Sequence, residues 1–183
     1  MFKLQHCKAP IAIAALFAAS GAFAQTMSST DYSASKDRIG ADYKTAKAAC
    51  DKFSANEKDI CVERAKGTEK VAKAELEYSR SGKLDDGSKV AVAKSDAAYA
   101  VAKEMCDDKG GNAKDVCVKE AKAEHTRGLA DAKMNKKVGE ARKDAAEDKT
   151  EANYKVAAEK CESLAGDAKS ACIATAKARF NKS

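Results

Sequence analysis

The segments Cys50-Asp51-Lys52-Phe53-Ser54-Ala55-Asn56-Glu57-Lys58-Asp59-Ile60-Cys61, CDDKGGNAKDVC (residues 106–117) and CESLAGDAKSAC (residues 161–172) decide the fold. In each, the second Cys follows the first by 11 positions, and the units recur after 56 and then 55 residues. The repetition extends outward in register. Tyr43, Tyr99 and Tyr154 stand seven positions before the first Cys, and Ala65-Lys66, Ala121-Lys122 and Ala176-Lys177 follow the second. Inside each segment a helix N-cap type (Asn56, Asn112 or Asp167) precedes a Lys (Lys58, Lys114 or Lys169) by two positions. Such a period defines a repeat architecture before any fold is named.

The middle of each segment is a turn sequence: Ser54-Ala55-Asn56, Gly110-Gly111-Asn112 and Ala165-Gly166-Asp167. Gly ends a helix by entering the left-handed region, and Asn or Asp accepts from a free N–H of the next one. The flanks carry helical stripes, with Tyr43, Ala46, Cys50 and Phe53 repeated as Tyr154, Ala157, Cys161 and Leu164. Six cysteines allow 15 connectivities. Each pair flanks its own turn, and short loops close at the lowest entropic cost. The expected bridges are therefore Cys50–Cys61, Cys106–Cys117 and Cys161–Cys172, each contributing roughly 3 kcal/mol in the chain-entropy model. None encloses another, so the three hairpins are expected to behave nearly independently.

The fold class expected is all-α: three tandem disulfide-stapled helical hairpins, as an elongated array or a bundle. About six helices are read, at 31–53, 57–80, 88–108, 113–134, 138–164 and 168–180. Ser81–Gly87 is the clearest break outside the turns, and Asn135–Gly139 a weaker one. The units run about 31–86, 87–140 and 141–183. Composition agrees: the sole proline is Pro10, there is no Trp, aromatics are 5% and charged residues 34%. Such a mixture favours long solvated helices around a thin core.

The N-terminus reads as a secretory signal over residues 1–24. Lys3 and Lys8 precede a short apolar run, Ile11 to Ala19, and Ala22-Phe23-Ala24 forms a small-x-small cleavage site before Gln25. Cys7 departs with this segment, leaving six cysteines in an oxidising compartment, so the localisation expected is periplasmic or secreted. Without the two signal lysines the formal charge of +6 falls to +4, a mixed-charge surface rather than a nucleic-acid footprint. No other stretch is apolar enough to span a bilayer.

Motifs for catalysis are missing: no HExxH, GxSxG, Walker loop, dinucleotide fingerprint or CxxC occurs. His125, the single His beyond the signal, reads as an exposed surface residue, the three tyrosines as packing residues and the repeated lysines as helix-surface charges. No catalytic, cofactor or metal residues are assigned, and the chain is read as not an enzyme. Two alternatives differ in class. Reduced thiols bind soft metals such as Cu(I) or respond to redox state, and a cationic surface binds envelope polyanions.

The runs NAKDVCVKEAKA and AEKCESLAGDAKSAC, with the signal and the Ala/Lys/Asp-rich helices, resemble small exported bacterial proteins labelled TolA-like or cell envelope biogenesis proteins. The resemblance covers nearly the whole chain after the signal. It implies residence in the envelope and no defined activity. A partner would be an envelope protein or polyanion.

Overall fold

The computed structural model describes residues 27–182. The signal and its cleavage site lie outside the described residues. Among the described residues five α-helices follow one another: α1 (Ser29–Ala49), α2 (Ala55–Ser81), α3 (Leu84–Cys106), α4 (Gly111–Cys161) and α5 (Gly166–Arg179), with a 3-10 turn at Cys50–Lys52. Among the described residues there is no strand. Each helix packs antiparallel on its neighbour in the chain, and α2 makes no backbone approach to α4. The helices therefore form an open layer and not a closed bundle.

The expectation of about six helices is corrected to five because α4 runs unbroken through Asn135–Gly139 for 51 residues, about 75 Å at 1.5 Å per residue. Asn and Gly cost a helix only about 1 kcal/mol each or less, and no proline forces a stop. Local partners offset that cost. Lys136 bridges Asp85 of α3 and Glu140, and Gly139 lets the start of α3 approach, since a Cβ there would lie 3.0 Å from Leu84. The expected break at Ser81–Gly87 shrinks to Gly82-Lys83. Gly82, at φ +61°, closes α2 with its N–H on the Tyr78 carbonyl at 2.8 Å.

The core is thin. The shielded apolar side chains are Cys50, Cys106 and Cys161 with Ala65, Ala93, Ala121, Ala132, Ala176 and a single larger residue, Leu76. Two repeat columns account for most of them: the first Cys of each pair and the Ala 15 positions later. Phe53 and Leu164, expected on the buried stripe, are exposed at 38% and 42%. They fall in the turns, past the last α-helical residue, where the helical spacing no longer applies.

Expected independence of the hairpins gives way to unequal coupling. Gly67 of α2 lets α3 come close enough that a Cβ would sit 2.7 Å from that of Ala97. This seam joins the first hairpin to the second. The third hairpin, the end of α4 with α5, lies beyond a stretch of α4, 141–150, in which every residue is exposed.

The N-caps also differ from expectation. Ser54, Gly110 and Ala165 hold the cap positions with no side-chain bond. The sharp reversal is made one residue later, by left-handed Ala55 (φ +48°), Gly111 (+54°) and Gly166 (+57°). Asn56, Asn112 and Asp167 therefore start inside the helix and cannot cap it. Ala55 carries a Cβ where its counterparts carry none. Ala55→Gly should stabilise the first hairpin by about 0.5–1 kcal/mol, seen as a raised urea midpoint at unchanged slope.

Candidate functional site

Two features are built with more care than the surrounding surface: the stapled turns and a polar bridge across three helices. In each turn the two Cys Cα atoms lie 5.6–5.7 Å apart across the hairpin, joining Cys50 to Cys61, Cys106 to Cys117 and Cys161 to Cys172. The first Cys ends one helix (Cys106, Cys161) or directly follows it (Cys50), and the second lies almost two turns into the next. The residue three positions after the first Cys (Phe53, Lys109 or Leu164) donates its N–H to that Cys's carbonyl, tightening the last turn. The three first cysteines are 0%, 0% and 1% exposed, whereas Cys61, Cys117 and Cys172 are half-buried. A thiolate reductant therefore reaches each bridge from the second Cys.

A salt-bridge clasp accompanies every staple. Lys58, Lys114 and Lys169 pair with Asp51, Asp107 and Glu162, the residues directly after the first Cys, at 2.9, 3.0 and 2.7 Å. The lysines, read from sequence as surface charges, thus have one repeated partner. The signal was present as an acidic column beside the cysteines. These pairs are exposed and contribute about 0–1 kcal/mol each. Asn56 makes a different link: its amide donates to the Glu104 carbonyl at 2.8 Å, tying the first turn to the end of α3.

The polar bridge corrects the reading of His125 as an exposed residue. Its ring is half-buried between α4 and α3, stacked on Tyr99 at 4.8 Å. Its Nε2 meets Asp96 Oδ1 at 2.6 Å, while Asp96 Oδ2 accepts from Lys70 of α2 at 2.7 Å. Ser95 donates to the His125 carbonyl at 3.2 Å, at the level where Gly128 has no side chain to obstruct it. Asp96, on α3, thus joins Lys70 of α2 to His125 of α4. Its bond to Lys70, and then that to His125, hold its pKa below the usual carboxylate range. Such a depressed group stabilises the fold above its unfolded pKa, and that contribution is lost as pH falls through the lower folded value. Asp96→Asn should therefore cost about 1 kcal/mol at neutral pH. The gap between wild type and variant should close below about pH 4 in acid-titrated thermal melts.

Of the other tyrosines, Tyr154 meets Phe180 edge-on at 6.4 Å. Tyr43 lines the α1–α2 groove with Ile39 and Ala65. Both placements fit packing roles. A shallow groove of about 630 Å³ lies between the end of α4 and α5, with Lys160 and Arg179 as its charged lining. Among the described residues no three His, Cys, Asp or Glu side chains gather as a metal site, and no helix is long and apolar enough to cross a membrane. The chain matches no family model, no curated protein and no solved structure.

Proposed function

We propose that this chain is an exported, non-catalytic helical protein of the bacterial cell envelope, periplasmic or secreted, with a structural or interaction role. The observation that carries the proposal is the stapling of each hairpin by its own disulfide around a core of Cys and Ala. A core this thin relies on its bridges, and such bridges persist where export delivers a chain to an oxidising compartment. The exposed stretch 141–150 spaces the third hairpin from the first two, which suits a protein presenting separate surfaces to a partner. Fractionation with N-terminal sequencing and thiol counting tests this. The expected product begins at Gln25, leaves the cytosol and has no free thiol. Protein retained in the cytosol with all seven thiols free would overturn the proposal. A photo-crosslinker on the exposed stretch should then capture an envelope component in living cells.

A further inference from the structure

The open face of α4 carries an apolar stripe, interrupted by Glu120 and Arg127. Val116, Met134, Val138 and Val156 are 46%, 55%, 42% and 55% exposed, four of the chain's exposed large hydrophobics on one helix. At about 100° per residue they fall within about 60° of one azimuth, with Ala123, Ala141 and Ala152 between them. The residues that pack on α3, including Ala121 and Ala132, lie on the opposite side. Hairpin three packs mainly on that same opposite side, through Cys161, with Val156 on the rim of its groove; among the described residues Val116, Met134 and Val138 stay clear of it.

The repeat indicates what covers it. In the first repeat, Asn56 and Gly67 of α2 dock on Glu104 and Ala97 of α3. Their counterparts one repeat on are Asn112 and Ala123, and the docking partners correspond to Glu159 and Ala152. All four are exposed, and all four lie on α4, within about 20° of one azimuth. One rigid helix cannot fold these two half-interfaces together. Two copies of it, antiparallel, bring both together at once.

We infer that the chain forms a two-fold symmetric dimer in which the α4 stripes of two copies pack antiparallel, centred between residues 136 and 137. Charge gives the same centre independently. Lys122 and Glu151, Glu124 and Lys149, Asp131 and Arg142, and Lys133 and Glu140 are each symmetric about that point. Within each pair both residues flank the stripe on the same side, as an antiparallel two-fold requires. The pairs built from the repeat, 112 with 159 and 123 with 152, agree with this centre to one residue. Two like-charge approaches remain, Lys137 on its own copy and Lys119 near Lys155, where long side chains splay into solvent. The interface takes in about 20 residues a side, the size of a standard stable interface. It extends the α2–α3–α4 layer through the axis into the partner.

The pairing is a property of the purified oxidised chain and does not depend on a role in the envelope. Sedimentation velocity at tens of micromolar should give twice the chain mass. Met134→Glu with Val138→Glu should give a monomer with unchanged helix content, because both sites are exposed within the chain. A spin label at Lys137→Cys, added with the native bridges intact, should report an inter-chain distance under about 2 nm. One at Ala152→Cys should report about 4–5 nm, from 1.5 Å per residue on each side of the axis. Among the described residues neither Asp131 nor Arg142 is ion-paired within the chain. Asp131→Arg alone should weaken the dimer about tenfold, and adding Arg142→Asp should restore it. A monomer in the wild type, a dimer indifferent to the Glu pair, a short distance at position 152 or failure of the charge swap would overturn the inference.

Discussion

Replacing Cys161 and Cys172 with Ala should leave α5 unfolded while α1 to α4 stay folded. The reason is unequal support. α5 has 14 residues, a length marginal for an isolated helix, and it packs only on the end of α4. Its buried contribution is Ala176, aided by the Tyr154–Phe180 edge contact and the Lys182–Glu151 pair at 2.6 Å. Losing a bridge worth about 3 kcal/mol removes most of what opposes the entropy of ordering the segment. Amide exchange in α5 should accelerate about 100-fold, with α2 and α3 unchanged. The same double replacement at Cys106 and Cys117 should spare local structure, because α3 is held on both sides. It should instead lower the stability of the α2–α3–α4 layer as one unit. Uniform melting of all helices from the α5 variant would show that the third hairpin is not separate.

Gly67→Leu should produce the second large effect, a loss of about 2–3 kcal/mol. The nearest atom to a Cβ at this position is the Ala97 Cβ, which cannot rotate away. The α2–α3 seam must then separate, loosening the Asn56–Glu104 and Lys70–Asp96 links on the same interface. Gly40 is the control. Nothing lies within 4 Å of a Cβ there, so Gly40→Ala should stabilise α1 by about 0.5–1 kcal/mol through helix propensity alone. Urea unfolding followed by circular dichroism measures both. A neutral Gly67→Leu would mean that α2 and α3 do not approach this closely.

What could be read in advance follows from which forces are local. The cysteine spacing, the turns and the all-helical composition are properties of short segments, and they place the hairpin bends without reference to distant residues. The buried Cys and Ala columns were also visible, because a repeat marks the positions that packing holds constant. Asp96 was not visible. Its role depends on Lys70 and His125, 26 and 29 residues away, and hence on the register of two helix seams. The acids at 51, 107 and 162 were in view but lost among many charges, since only the hairpin geometry shows that each faces a Lys seven positions on. The unbroken α4 escaped because Asn135 and Gly139 weaken a helix without ending it, and contacts with α3 decide the balance. Gly67 and Gly128 had no local meaning at all. Their value lies in the atoms they leave room for on α3.

Each repeat is a helical hairpin closed by its own disulfide. Peptide mapping of the unreduced, exported protein is the test, because cleavage at Lys52, Lys58, Lys109, Lys114 and Lys169 cuts between the paired cysteines. Three linked peptide pairs are expected, Cys50 with Cys61, Cys106 with Cys117 and Cys161 with Cys172. Linked peptides joining different repeats, or free thiols as the main species, would contradict it.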